Sequence, residues 1–210
     1  RGPEKLLFRD VMRGYARMGF DLPKAKFAKL KANIKMLGKL GLAFDRNLNE
    51  YKDHIFVTEA ELDGLPQTYR ANLTKVEKKY KVTLAYPDVF PYMAGAHDEE
   101  RRKELLGKFV RKGGTKNVAI LKKMFRLRAE NAKLLGYKTH ADYQTELRMA
   151  KSAANVWRFI KDLERRTKKQ TGRDLAMLVA DKRRRTNNAK AVLGAHDISY
   201  LFKQIRKEKF

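Results

Sequence analysis

Cysteine is absent from this 210-residue sequence. Disulfide bonds, thiolate zinc sites, iron–sulfur clusters and thiol nucleophiles are therefore excluded. No apolar run approaches the roughly 20 residues that a membrane-spanning helix requires, so we expect no membrane span. Only 5 prolines and no Gly/Ser-rich linker interrupt the chain, and 43% of the residues are hydrophobic. We therefore predict one domain over residues 1–210 with a core of its own.

Negative charge is scarce in this sequence. It has 49 Lys and Arg against 24 Asp and Glu, which gives a formal net charge of +25. Mutual repulsion of this size opposes a compact state unless counter-ions or a polyanion offset it. RNA is such a polyanion, because each phosphate that a cation neutralises releases condensed counter-ions. DNA or an anionic membrane surface would use the same charge.

Helical periodicity dominates the sequence. The clearest apolar stripe predicts a long helix from Pro23 to about Glu50. The segments His54–Val57 and Tyr80–Tyr86 are rich in β-branched and aromatic residues and predict two paired strands. We predict a mainly α fold, a multi-helix array of roughly eight helices with one small two-stranded β-ribbon at about residues 54–86. Aromatic side chains on helices are expected in the core: Tyr15, Phe27, Phe44, Phe125, Trp157, Phe159 and Phe202. Trp157, next to Arg158, is alternatively a candidate for stacking on a base.

Local signals place several helix boundaries. Thr58–Glu61 has the pattern of a capping box. Pro87 and Pro91 are expected to interrupt the chain after the second strand. A helix is predicted after Ser152 and a separate one at Leu175–Ala191. The predicted N-cap residues are Thr115, Thr139 and Ser152.

Basic residues occur in clusters on the predicted helices. Taken singly, each cluster is also typical of a solvated helix face. Together they are candidates for binding nucleic acid through phosphate contacts, with little base readout, because no signature of a sequence-reading module is present. The candidate residues are Lys122, Lys123, Arg126, Arg128, Arg165, Arg166, Lys168, Lys169, Lys182, Arg183, Arg184, Arg185, Lys203, Arg206 and Lys207.

Six segments, in the same order along the chain, resemble the thimet oligopeptidase, neurolysin and oligopeptidase A family of zinc metallopeptidases. The run NVAILKKMFRLRAENAKLLGYKTHADYQTELRMA from Asn117 is the most similar, with an LRAE-type helix, LLGY and an ADY helix that ends in MA. The last segment is similar to the family's WDISYY, although Ala195-His196 replace the usual Pro-Trp. That last segment is DISYLFKQIRKEKF (Asp197–Phe210), and the other four are FDRNLNE (Phe44–Glu50), VTEAELDGLP (Val57–Pro66), YKVTLAYPDVFP (Tyr80–Pro91) and EERRKEL (Glu99–Leu105).

The resemblance implies a single truncated domain, an internal slice of the family's helical channel wall. The family's zinc site requires an HExxH helix, and no HExxH occurs in this sequence. The four histidines, His54, His97, His140 and His196, are isolated from one another in sequence. We therefore assign no catalytic residue, no metal ligand and no cofactor, and we expect a degenerate, non-catalytic relative of the family.

Three functional hypotheses follow. The leading one is a basic structural subunit that binds RNA and neighbouring proteins in a large ribonucleoprotein, specifically a mitochondrial ribosome, which would place the chain in the mitochondrion rather than the cytoplasm. The second is one part of a split or fragmentary zinc oligopeptidase whose catalytic half is elsewhere. The third is a protein-interaction scaffold without nucleic acid. A slice of a larger helical fold should also expose an apolar surface.

Overall fold

The structure, a computed structural model, describes residues 2–209. Arg1 and Phe210 lie outside the described residues. Most described residues are helical, which confirms the mainly α fold. The helices are α1 (Pro3–Met18), α2 (Lys24–Asn49), α3 (Gln67–Ala71), α4 (Tyr86–Gly95), α5 (Glu99–Val110), α6 (Gly114–Leu134), α7 (His140–Thr145), α8 (Ala153–Thr186) and α9 (Ala195–Lys209). The strands are β1 (His54–Val57), β2 (Thr74–Val76) and β3 (Lys79–Thr83).

The chain divides into two compact units. The first unit contains α1, α2, α6, α7 and the beginning of α8, up to Glu164. The second contains the three strands, α3, α4, α5, the part of α8 from Arg165 onwards, and α9. The interiors of the two units differ in their chemistry.

In the first unit, asparagine side chains join α2 to α6. The Nδ2 of Asn33 lies 2.9 Å from Oδ1 of Asn131, and the Nδ2 of Asn47 lies 2.8 Å from Oδ1 of Asn117. Among the described residues of this unit, Leu30 and Ala132 are the fully buried apolar side chains. These two amide pairs, the first buried and the second partly buried, therefore fix much of the register between the two helices.

Arg17 anchors the end of α1. Its guanidinium donates to the carbonyl of Tyr143 at 2.8 Å, lies 4.1 Å from the centre of the Tyr143 ring, and pairs with Glu146. Burial lowers the pKa of Arg17, but its interactions with Glu146, Tyr137 and Tyr143 together outweigh burial, and the net pKa is raised. The helix ends at Gly19, whose φ of +85° favours glycine. No residue of α1 is buried, so Arg17 provides much of its attachment.

In the second unit, an antiparallel sheet of order β1-β3-β2 packs on helices. Ile55 pairs with Val82 across β1 and β3, and both side chains are buried. Leu62, Tyr92 and Leu105 complete this core from the helical side. The tyrosine hydroxyl donates to the carbonyl of Glu61 at 3.0 Å, so its polar end is satisfied inside the core.

Several predicted helix boundaries are confirmed. The backbone N–H of Thr58 donates to Oε2 of Glu61 at 2.7 Å, as the capping box requires. Thr139 accepts from the N–H of Asp142 at 3.1 Å. Thr115 is not an N-cap, because Gly113 occupies that position with a φ of +78°. A Cβ on Gly113 would lie 2.4 Å from the side chain of Asn117, so glycine is required there.

The structure differs from the expected elements in three places. Strand β2 adds a third strand, which the sequence pattern missed because all three of its residues are exposed and show no alternation. The region of Pro87 and Pro91 forms α4, since Pro87 lies in the first turn where no N–H is needed. The two helices predicted after Ser152 and at Leu175–Ala191 are one helix, α8, because the polar residues between them include no proline.

The aromatic residues expected in the core divide into two groups. Phe27 and Phe44 are half-buried on α2. The others expected in the core are exposed, and Trp157 is 62% exposed. An amphipathic pattern indicates that a helix has an apolar face but does not say whether the same chain covers it. The exposed members are Tyr15, Phe125, Trp157, Phe159 and Phe202.

We expect Leu105→Ala to lower the free energy of unfolding by about 2–5 kcal/mol, because it removes a fully buried side chain from the core of the second unit. The matched control is Leu42→Ala on α2, where the side chain is exposed, with an expected change within about 0.5 kcal/mol. Urea unfolding followed by circular dichroism measures both. Equal losses would contradict the assignment of this core.

Candidate functional site

A buried cluster of charged side chains centres on Asp197, in the first turn of α9. The carboxylate is 1% exposed. Its Oδ2 accepts from the Nζ of Lys182 at 2.6 Å, and its Oδ1 accepts from Arg102 at 3.1 Å. Lys182 also donates to Oε1 of Glu99 at 2.7 Å. The cluster thus joins the start of α5, the end of α8 and the start of α9 within the second unit.

Arg102 connects this cluster to the backbone. Its Nη1 donates to the carbonyls of Ala96 at 2.8 Å and His97 at 2.9 Å, and its Nε donates to the carbonyl of His196 at 3.2 Å. The guanidinium also lies 4.1 Å from the centre of the Tyr200 ring. Every nitrogen of this buried side chain therefore has a hydrogen-bond partner, which offsets the cost of removing its charge from water.

The pKa directions follow from these contacts. Burial raises the pKa of Asp197, but the hydrogen bonds from Lys182 and from the N–H of Gly194 outweigh it, and the net pKa lies below the usual value. Burial lowers the pKa of Lys182, and its bonds to Asp197 and Glu99 outweigh that effect and raise the pKa. Burial also raises the pKa of Glu99, but the hydrogen bonds from Lys182 and His196, together with the charge of Lys182, lower it, and the net pKa lies below the usual value. All three groups are held in their charged forms.

Three side chains at the Asp197 cluster are of the kinds that bind metal ions. One ligand atom from each of Glu99, His196 and Asp197 lies within 4.8 Å of the others. The charges around these three side chains, however, do not suit a bound zinc ion. Both carboxylates already pair with Lys182, and Arg102 pairs with Asp197, so a divalent cation would have to displace two buried cations. We therefore derive no metal-dependent step from these residues.

Three side chains of the run Lys182–Arg185 form ion pairs with carboxylates of the same chain, so the run is not a free cationic patch. Lys182 is 6% exposed inside the Asp197 cluster. Arg184 and Arg185 both pair with Asp181, at 2.6 and 2.7 Å, and both contact Glu208. Arg183 is exposed and donates to the carbonyl of Ala191 at 3.4 Å. A phosphate contact at Lys182 would require breaking the cluster.

The other predicted nucleic-acid contacts lie on three helices. On α6, Arg128 is half-buried, whereas three cations are exposed and form no ion pair with a carboxylate in the described part of the chain: Lys122, Lys123 and Arg126. The exposed candidates on α8 are Arg165, Arg166, Lys168 and Lys169. On α9, Lys203 is half-buried and Arg206 and Lys207 are exposed. Their role in binding RNA stays a prediction.

No helix between residues 2 and 209 combines the length and the apolar character needed to cross a bilayer.

Sequence reasoning missed the Asp197 cluster. Its partners are far apart in the chain, Arg102 being 95 residues from Asp197. A usable signal existed nonetheless, because Glu99 and Arg102 belong to EERRKEL and Asp197 begins DISYLF. Two of the segments that carry the resemblance are therefore in direct contact in the structure.

We expect Asp197→Asn to lower the free energy of unfolding by about 3–5 kcal/mol at neutral pH, because two buried cations lose their shared carboxylate. Its pH dependence should change too. The folded-state pKa of Asp197 is lowered, so the stability it adds is present above the unfolded pKa and is lost as pH falls below about 4. Urea unfolding between pH 3 and 7 tests both effects.

The matched control is Glu208→Gln, which removes a carboxylate from an exposed ion pair on α9 and should have a much smaller effect. If both variants lose equal stability, or if Asp197→Asn keeps the full acid sensitivity of the wild type, the Asp197 cluster does not stabilise the second unit through its buried charges.

Comparison with known proteins identifies the family. The sequence model described as peptidase family M3 matches residues 92–210. Saccharolysin of Saccharomyces cerevisiae is 34% identical over 157 residues, 71% of this chain and 22% of the relative. The probable thimet oligopeptidase of Arabidopsis thaliana is 27% identical over 207 residues, which are 98% of this chain and 29% of the relative. The mitochondrial intermediate peptidase of Yarrowia lipolytica is 28% identical over 209 residues, which are 98% of this chain and 26% of the relative.

The chain thus spans between 22% and 29% of the length of these relatives. The family model covers more than half of the chain, including α5, α9 and the whole Asp197 cluster. The chain belongs to peptidase family M3.

Proposed function

We propose that this chain is a helical scaffold segment of an M3-type zinc oligopeptidase. Polypeptide outside these residues, in the same longer chain or in a second one, supplies the zinc-binding helix. The observation that carries the proposal is the Asp197 cluster. It joins the segments EERRKEL and DISYLF through ion pairs that require charged side chains from both. We infer that the chain retains the scaffold that these segments build.

The apolar surface of the first unit supports this proposal. Helix α1 has a complete apolar face with no buried residue, and Phe8 on it is 69% exposed. Trp157 and Phe159 on α8 are also exposed. Contiguous apolar surface on a soluble fold marks a place where other protein packs. A segment of a larger enzyme needs such a surface, whereas phosphate binding does not.

In this role the chain performs no bond-breaking step. Its residues hold α4, α5, α8 and α9 in a fixed arrangement, through Arg102 and Lys182 around Asp197. Charged groups without water around them resist rearrangement, since any movement would leave a buried charge unpaired. The segment would thereby give the catalytic part of the enzyme a rigid support.

A second candidate is the RNA-binding subunit of a ribonucleoprotein such as a mitochondrial ribosome. The specific observation in its favour is the exposed cations of α6, Lys122, Lys123 and Arg126. It ranks second because Lys182, Arg184 and Arg185 are engaged in internal ion pairs. A mitochondrial location is supported by the names of two relatives, both mitochondrial intermediate peptidases. A scaffold without nucleic acid is the third candidate.

Isolation of the native chain from its source cell, at low and high salt, tests these candidates together. We expect an HExxH-bearing polypeptide, in the same chain or associated with it, to be recovered with zinc and retained at high salt, because salt screens charge–charge contacts and does not weaken apolar ones in this way. Mass spectrometry, metal analysis and RNA sequencing give the readout. Recovery of ribosomal RNA and ribosomal proteins, lost at high salt or after nuclease treatment, would overturn the scaffold proposal in favour of the second candidate.

For the second candidate, replacing Lys122, Lys123 and Arg126 by glutamine should weaken binding to single-stranded RNA. It should also reduce the slope of log K against log salt by about 0.7 per lost phosphate contact. Stability should change little, since these side chains are exposed. Fluorescence anisotropy over a salt series measures the slope. The matched control replaces Lys31, Lys35 and Lys39 on α2, and equal effects of the two triple variants would contradict a specific site on α6.

A further inference from the structure

An apolar groove opens on the first unit beside α2. Its cavity has a volume of about 700 Å³. Leu30 forms its buried floor, and Ile34 is 55% exposed at its side. The loop after α1 contributes Phe20, whose ring centre lies 5.6 Å from that of Phe27. Leu135 and Tyr143 line the opposite wall. This groove is separate from the Asp197 cluster, which lies in the second unit.

The groove has the dimensions of a helix-binding surface. Its α2 wall is formed by Phe27, Leu30, Ile34 and Leu37. These residues have the i, i+3, i+7, i+10 spacing of one helical face, and ten residues of helix extend over about 15 Å. An amphipathic helix buries its own apolar face against such a surface through residues at the same spacing.

Charge around the groove selects the partner further. No Asp or Glu of the described chain lines it, and its two cations are Arg17 and Lys31. Arg17 is already paired with Glu146. Lys31 is exposed and forms no ion pair within residues 2–209, and the sequence has no carboxylate between Asp21 and Asp45. Carboxylates on an incoming helix would therefore find an ion-pair partner in Lys31, whereas the charge of Arg17 is already balanced by Glu146.

We propose that this groove binds an amphipathic helix with carboxylates beside its apolar face, contributed by the polypeptide that completes the M3 scaffold. This inference rests on the proposed function and adds the place and the chemistry of the contact. A second copy of this chain would bring the cationic α2 and α6 surfaces together, so like charge opposes that occupant. A free aliphatic carboxylate would use Lys31 but would not need the helical spacing of the wall.

Synthetic helices test the chemistry directly. The probe is a peptide of about 15 residues with leucine at helical spacing and flanking glutamates, and its partner peptide has lysine in place of each glutamate. We expect the glutamate peptide to bind at least about tenfold more tightly, as measured by fluorescence anisotropy. Lys31→Glu should reverse the preference, and Ile34→Glu should abolish binding. The matched controls on α2 outside the groove, Lys39→Glu and Leu42→Glu, should leave the peptide affinity and the preference for the glutamate peptide unchanged.

Four results would overturn the inference. The first is equal binding of the two peptides to the wild-type chain, and the second is equal loss in Ile34→Glu and Leu42→Glu. The third is a concentration-dependent dimer in sedimentation that Ile34→Glu abolishes and Leu42→Glu preserves, since a second copy would then occupy the groove. Tighter binding of dodecanoate than of the glutamate peptide would instead identify a small-molecule site and would also overturn it.

Cysteine labelling separates this inference from the proposed function. These 210 residues contain no cysteine, so Ile34→Cys and Leu42→Cys each introduce the single thiol of this segment, and peptide mass spectrometry reads the labelling at that position. In the natively isolated protein with its HExxH-bearing polypeptide, we expect maleimide to react slowly at position 34 and rapidly at position 42. If that polypeptide is present and both positions react equally, the groove assignment is wrong while the proposed function stands. If it is absent, the proposed function fails whatever the peptides show.

Discussion

The second unit depends on one carboxylate that is removed from water and held between two cations. Asp197 would be costly in this position alone, and so would Arg102 or Lys182. Together they satisfy one another, and Arg102 satisfies the backbone carbonyls at the end of α4 as well. Three helices and a connecting segment are thus fixed by groups that tolerate little displacement. Apolar packing around Leu62 and Leu105 supplies bulk stability, and the charges specify where α9 begins.

The first unit is built on a different principle. Amide pairs such as Asn33 with Asn131 align α2 and α6, while few apolar side chains are fully buried. Hydrogen bonds of this kind define a register but contribute modest net stability. The apolar faces of α1 and of the start of α8 remain at the surface. The unit therefore has a defined internal geometry together with surface suited to further packing, which agrees with a segment of a larger M3 protein.

Local patterns predicted the elements well, because their causes are local. The long helix α2, the capping box at Thr58 and the strand at His54–Val57 follow from spacing, side-chain capping and β-branched residues. The Asp197 cluster could not be predicted in this way, since its members meet only after α5, α8 and α9 have packed. A run such as Lys182–Arg185 resembles a solvated surface in sequence, and only the fold reveals that Lys182 is internal. The exposure of Trp157 was missed for the complementary reason that an apolar stripe carries no information on what covers it.

The buried cluster also restricts the order in which this sequence can change over evolution. Replacement of Asp197 alone leaves Arg102 and Lys182 with only the carboxylate of Glu99, and replacement of Lys182 alone leaves Glu99 and Asp197 without their common donor. Joint replacement of the charged members by apolar residues of similar volume removes the imbalance and can be close to neutral. Each single replacement therefore costs much stability, whereas the joint replacement costs little, which is a case of sign epistasis. Descendants of this chain should keep the cluster as a set or lose it as a set, and intermediate combinations should be rare.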